Sequence, residues 1–294
     1  MPELPDVTVY VERLAALLRG RVIERVRIAN PFVLRSVEPP ISAVAGRRVE
    51  GFDRMGKRIV VRLDGDLFIV VHLMIAGRLR WREPGKKIGG RIVLAELVFE
   101  HGTLFLTEAG TTRRAMLHVI RGAESLHAFD RGGIDPLTAD LAQFAEVLRS
   151  ESHTLKRSLT DPRLFSGIGN AYSDEILHRA RLSPLALSGR LSDDDIARLH
   201  SAVRDTLEEW TARLREEAGD ALPEKVTAFH PEMAVHGRYG MPCPVCGAPV
   251  QRIRYASNET NYCARCQTGG RVLADRAMSR LLKDDWPRSI DDIE

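Results

Sequence analysis

Four cysteines, all lying between positions 243 and 266, constrain this chain more tightly than any other feature. Cys243-x2-Cys246 and Cys263-x2-Cys266 are two CxxC knuckles with sixteen residues between them. That spacing supplies four thiolates for one tetrahedral Zn²⁺, a closed structural site with no open position for catalysis. The short apolar segments between the knuckles, APVQRIRY (248–255) and the approach to Tyr262, suit a β-hairpin, so a zinc ribbon is expected. Secreted disulfide scaffolds spread cysteines through the chain. This clustering fits metal binding in a reducing compartment better, and better than redox-active thiols.

The 294 residues suggest more than one domain, and 44% apolar content is ample for cores. A net charge of +3 permits a nucleic-acid partner without demanding one. No run approaches 18 apolar residues and the start lacks a basic-then-apolar leader, so a soluble cytoplasmic protein with no membrane partner is expected.

Residues 7–18, VTVYVERLAALL, read as a helix entered through Pro5-Asp6 and stopped at Gly20. Strand-like segments follow at 21–29, 47–54, 57–65, 67–75, 77–81, 91–100 and 103–108, separated by Gly, Asp and Pro. No helix-length segment interrupts them, so the pairing should be antiparallel. The Asp130-Arg131-Gly132-Gly133 stretch reads as a hinge. Beyond it come helical patterns at 139–151, 155–167, 170–182 and 193–219, the last opened by Ser192 and three aspartates. A further helix is expected at 271–286. The fold class is α+β multidomain. It comprises an N-terminal β-sandwich with flanking helices (1–132), a helical domain (133–235), the zinc ribbon (236–267) and a C-terminal extension (268–294).

Three other stretches can carry chemistry. Met1-Pro2-Glu3-Leu4-Pro5-Asp6 would, after loss of Met1, start with a secondary amine beside a carboxylate. An α-amine has a pKa of about 7.7–8, far below that of a lysine, and is a ready nucleophile for a Schiff base. Glu3 stands where it could move protons. Taken alone, the same residues are simply a chain start with Pro in the first turn of a helix. Ser166-Gly167-Ile168-Gly169-Asn170 opens a helix with converging backbone N–H groups suited to phosphate, and Lys156, Arg157 and Arg163 are near in sequence. Arg54-Met55-Gly56-Lys57 places a lysine in a turn leading into a strand.

In combination, PELP at the start, MGK, SGIGNAYSDEIL, HGRYGMPCPVCG and the paired CxxC motifs resemble the formamidopyrimidine-DNA glycosylase/endonuclease VIII family over residues 2–267. The resemblance implies a helix–two-turn–helix in the helical domain and a bifunctional base-excision enzyme, a DNA glycosylase with AP lyase activity. Its partner would be damaged double-stranded DNA, with single-stranded or abasic DNA as further candidates; the protein would be monomeric and nucleoid-associated when bound. Carried over residue by residue, Pro2 attacks C1′, Glu3 is the general acid/base and Lys57 stabilises an adjacent phosphate. Gly167, Gly169 and Asn170 clamp phosphate, with Lys156 and Arg238 on the same surface, and Arg113 faces the orphaned base.

Several positions depart from the family pattern. Asn258 replaces the arginine expected five residues before the third cysteine, which puts a second elimination in question. Ile75 replaces a methionine that fills the vacated stack, Ala115 replaces the wedge phenylalanine, and Asp6 replaces a glutamate. The Gly-rich loop that covers 8-oxoguanine is missing, and the tail continues past Gln267. These changes favour an altered substrate range. They also leave a second reading, a catalytically silent damaged-DNA-binding protein on the same scaffold.

Overall fold

A computed structural model describes residues 1–294 except 111, 225, 227–228, 256–257, 276–280, 282–286 and 294. The chain divides into two compact units. One is Met1–Arg131 with Trp210–Thr227; the other is Gly132–Glu209 with Ala228–Glu294.

In the first unit, α1 (Leu4–Leu18) precedes eight antiparallel strands: β1 (Arg25–Ile28), β2 (Val49–Met55), β3 (Arg58–Leu63), β4 (Leu67–His72), β5 (Gly77–Arg82), β6 (Val93–Phe99), β7 (Gly102–Glu108) and β8 (Met116–Arg121). They form two four-stranded sheets, ordered β1-β6-β7-β5 and β2-β3-β4-β8. One core lies between the sheets and under α1. Val7, Tyr10, Leu14 and Leu18 of the helix share it with Ile59, Val61, Ile69 and Val119 of one sheet and Leu97, Leu104 and Leu106 of the other. The helix delivers those residues at 3–4-residue spacing, and the strands deliver theirs at every second position. On the second sheet the opposite face is also covered, since Val60, Phe68, Val70 and Ile120 pack with Leu126 and Phe129. Burial on both faces explains why LFIVVH in β4 is continuously apolar rather than alternating.

Strand β8 is the element missing from the sequence expectation. Its MLHVIR pattern is broken by His118 and ends in Arg121, yet it pairs along its length with β4. The apolar run at 67–75 likewise contains less strand than expected. It leaves the sheet at His72, because residues 73–76 form a tight turn.

In the second unit, α3 (Leu141–Ser150), α4 (Leu155–Thr160), α5 (Asn170–Arg179) and the first part of α6 (Asp193–Ala218) enclose Phe144, Leu155, Leu159, Phe165, Ile176, Leu199 and Val203. A short helix, α2 (Ala123–Leu126), belongs to the first unit. The pattern at 155–167 is helical only to Thr160: Asp161 and Pro162 end it, as Pro disfavours helix in the residue before it. Ser192 does cap α6, its Oγ accepting from the Asp195 N–H at 3.2 Å. The cysteines lie around a hairpin of β9 (Gln251–Arg254) and β10 (Glu259–Tyr262), followed by α7 (Ala264–Thr268). Most of the helix expected at 271–286 lies outside the described residues. Among the described residues no helix is long and apolar enough to cross a membrane.

Candidate active site and nucleic-acid interface

Within the first unit, the chain start is not a loose tail. Pro2, Glu3, Leu4, Pro5 and Asp6 are all buried. Glu3 is the N-cap of α1, and its backbone N–H donates to Asp6 Oδ2 at 2.8 Å. Burial lowers the pKa of the chain-start amine, carried here by Met1; Glu3 and Asp6 oppose that shift, and Arg78 and Lys57 add to it. The structure therefore gathers Glu3, Asp6, Arg78 and Lys57 around one amine, although they are scattered in sequence.

Lys57 reaches this position through a two-residue hairpin. Met55 pairs with Arg58, and Gly56 takes φ +58, as the first central residue of a type II′ turn requires. Arg78, on β5, spends its guanidinium on the backbone carbonyls of Ile75, Gly77 and Val226. Sequence reading missed Arg78, for an arginine in a strand ordinarily reads as a solvated edge charge.

Asp6 is the most perturbed acid of this group. Burial, reinforced by the neighbouring Glu3 charge, pushes it up to about 7. The folded chain thus keeps a proton that the unfolded chain loses near pH 4. Stability should fall as pH rises from about 4 to 7, by up to about 1.4 kcal/mol per pH unit, and level off above 7. Asp6→Asn should flatten that slope, measured as the urea midpoint across pH 5–8.

Ile75 is carried on the tight turn after β4. Met74 sits at φ +53 and its N–H donates to His72 Nδ1 at 3.0 Å. Burial, and then the charges of Arg58 and Lys57, push His72 down to about 4, so it is a neutral acceptor at physiological pH. The Gly77 N–H closes the turn on Leu73 O at 2.9 Å. Ile75 is left 59% exposed. A Cβ on Gly77 would lie 2.2 Å from Leu73 O. Gly77→Ala should therefore displace the turn and cost about 1–3 kcal/mol in chemical denaturation, an overpacking penalty.

Arg113 is exposed, and its guanidinium donates to Arg91 O. Its loop is set by Glu108, a buried carboxylate that accepts from the N–H groups of Arg114 (2.9 Å) and Ala115 (3.0 Å). Ala115 itself belongs to the core between the sheets.

In the second unit, Gly167 takes φ +88 and Gly169 caps α5, so Asn170 is the first helical residue. Asn170 Nδ2 donates to Glu259 O of β10 at 3.0 Å. Lys156 is turned inward: its Nζ donates to Asn170 O at 2.6 Å and to the fully buried Asp174 at 2.5 Å. Asp174 also accepts from His236 Nδ1 (2.8 Å) and the Asn261 N–H (3.1 Å). The next residue, Glu175, accepts three backbone N–H groups, from Ala234, Val235 and His236, at 2.7–2.9 Å. Two adjacent acids of α5 thereby hold the 234–236 loop and the hairpin in place. Buried carboxylates survive only with such partners. Sequence reading missed both, because Asp-Glu on a helix ordinarily reads as a solvated face. Arg238 lies beyond that loop, donating to Pro231 O at 2.8 Å. Asn258 is exposed at the hairpin tip. Arg252 stacks on Tyr239, its guanidinium carbon 4.0 Å from the ring centroid.

The ligand sulfurs of Cys243, Cys246, Cys263 and Cys266 all lie within 4.8 Å of one another. Sγ–Sγ distances of 3.9 Å (Cys243–Cys266) and 3.4 Å (Cys246–Cys263) bracket the roughly 3.8 Å edge of a tetrahedron with Zn–S bonds of about 2.3 Å. The residues fit one structural zinc ion. Burial raises the Cys266 thiol above its ordinary range, and a bound zinc ion would favour its thiolate.

Three family models match the chain: the formamidopyrimidine-DNA glycosylase N-terminal domain over residues 1–114, the formamidopyrimidine-DNA glycosylase H2TH domain over 133–216, and the zinc finger found in FPG and IleRS over 240–269. A formamidopyrimidine-DNA glycosylase of Thermus thermophilus is 34% identical over 280 residues, covering 92% of this chain and all of the relative. The crystal structure of the MutM (Fpg) protein from Thermus thermophilus superposes with a TM-score of 0.76 at 32% identity, over 90% of this chain and 98% of that one. At 24% identity, and so for the fold alone, a complex of Lactococcus lactis Fpg with DNA containing an abasic site gives a TM-score of 0.80 over 90% of this chain and 99% of that one. With both units, the zinc finger and the full length of its Thermus relative matched, this chain belongs to the formamidopyrimidine-DNA glycosylase family.

Proposed function

We propose that this DNA glycosylase is also an AP lyase that works through Pro2, with damaged or abasic-site DNA as its substrate. The observation that carries the reading is the chain start: a buried Pro2-Glu3 pair, with Asp6, Arg78 and Lys57 acting on the adjacent amine. Where Met1 is removed, the Pro2 nitrogen becomes the amine of that environment. Burial lowers the pKa of such an amine and leaves more of it unprotonated and nucleophilic near neutral pH.

In the chemistry we propose, the Pro2 nitrogen attacks C1′ of a flipped-out nucleotide and the C1′–base bond breaks, the base leaving with a proton from an acid of the site. Opening of the sugar at O4′ gives an iminium between Pro2 and C1′. Its positive charge acidifies C2′, a proton leaves C2′, and the C3′–O bond breaks, nicking the strand. Glu3 is placed to carry protons at the sugar, and Lys57 to balance phosphate charge. In the other unit, Asn170 and the Gly167–Gly169 turn hold phosphate, and Lys156 acts by placing Asn170 rather than by meeting DNA itself. Arg113, Ile75 and Arg238 complete the contacts.

The altered positions argue for a substrate range shifted from 8-oxoguanine. With Ala115 buried in the core between the sheets, Ile75 alone is left to act as the apolar wedge. Asn258 brings no charge to the hairpin tip, which favours stopping after the first elimination. Duplexes carrying single defined lesions, scored separately for base release and for nicking, test this. The reading predicts nicking of abasic duplexes and release of at least one oxidised or ring-opened base. Tight binding with neither product would favour a silent damaged-DNA-binding protein.

A further inference from the structure

The third family model ends at residue 269, yet the zinc module does not end there. Val272, Asp275 and Ile290 are 6%, 3% and 4% exposed. Ile290 sits in the same core as Val250, Ile253, Tyr262 and the ligands Cys243 and Cys263. The two arms of the extension are tied to each other and to the module through backbone groups. The Val272 N–H donates to Arg288 O at 3.0 Å and the Ile290 N–H to Gly270 O at 2.7 Å. The Leu273 N–H donates to the Tyr262 hydroxyl at 2.7 Å.

One contact reaches the working end of the module. The buried carboxylate of Asp275 accepts the backbone N–H of Arg254, the last residue of β9, at 2.6 Å. The hairpin closes immediately beyond, where the Tyr255 N–H donates to Asn258 O at 2.8 Å. The tip itself presents exposed Arg254, Tyr255 and Asn258, a cation, an aromatic ring and an amide, a set suited to a nucleic-acid backbone and bases. A two-stranded ribbon of four residues per strand has little rigidity of its own. A charge-assisted hydrogen bond at the base of its turn removes one edge of that freedom.

We propose that the extension is a working part of the zinc module and that Asp275 is a positioning residue, holding the hairpin tip in its DNA-binding geometry through the Arg254 N–H. The inference rests on the reading that this module meets DNA.

The test uses the full-length, zinc-loaded protein and a duplex with a single abasic site. Asp275→Ala should raise Kd and KM about tenfold, the scale of one charge-assisted hydrogen bond, while the rate at saturating DNA and the bound zinc stay at wild-type values. Asp275→Asn keeps an acceptor oxygen and should restore binding to within about threefold. On a Tyr255→Ala background, Asp275→Ala should add little, since both act through the tip. The proposal is overturned if Asp275→Ala binds as tightly as wild type, if its loss follows lost zinc or an equally reduced saturating rate, if Asn fails to rescue, or if the two substitutions add in full. Wild-type protein that does not bind the duplex would instead sink the DNA reading itself.

Discussion

Replacing Pro2 with glycine should abolish lyase turnover while leaving the protein folded and able to bind abasic DNA. Glycine preserves an α-amine but loses the ring, and with it both the secondary nitrogen and its fixed direction. Pro2 is buried at the entry to α1, where Glu3 and Asp6 are locked together by one hydrogen bond, so the amine of wild type has a restricted approach. A primary amine on a freely rotating glycine retains nucleophilicity but not placement, and placement is worth several orders of magnitude in well-oriented reactions. The single-turnover nicking rate should fall by at least about 10³-fold, as when a covalent nucleophile is removed and binding is kept. Affinity should change by less than about threefold, because phosphate contacts dominate it.

Zinc removal should have an effect of comparable size and opposite character. The module has a small core, and its hairpin strands are four residues each, too little to persist unaided. In zinc-finger peptides the metal contributes about 10–16 kcal/mol, and here too binding energy is folding energy. A strong chelator, or Cys263→Ser, should therefore unfold the ribbon and free the Glu259 carbonyl that Asn170 holds. Abasic-DNA affinity should drop by about 100-fold or more, measured by equilibrium binding at fixed salt. The sandwich of the first unit, whose core contains none of the cysteines, should keep its own thermal transition. Retained affinity after complete metal loss would show that the ribbon does not need zinc to bind DNA. Metal retention should also weaken toward acidic pH, because protons compete for the thiolates.

How much of this was legible in the sequence follows from the range of the forces involved. The metal site was, since two CxxC knuckles encode their own geometry and the sulfurs do converge. So were α1, the antiparallel strands and α6, which repeat an apolar period long enough to be read. Strand β8 was not, because His118 and Arg121 blur a short segment that only pairing with β4 makes a strand. The helix at 155–160 was overextended, because apolar Leu164 and Phe165 continue its pattern past the Asp161-Pro162 break. At the chain start, sequence supplied the candidate nucleophile but not its surroundings. Arg78, and the raised pKa of Asp6, depend on strands that only the fold brings to the first helix. The Asp174–Glu175 pair was hidden for the same reason: nothing local distinguishes a carboxylate that holds a loop from one facing water.

Whether Pro2 forms the covalent intermediate is decided by borohydride trapping with peptide mapping. Purified protein is incubated with an abasic-site duplex and borohydride, digested, and the DNA-modified peptide identified by mass spectrometry. The expected product is a chain beginning at Pro2, with the reduced sugar adduct on the Pro2 nitrogen and none on Lys57. An adduct mapped to Lys57 or any other lysine, or no adduct from protein that binds and nicks the duplex, would contradict it.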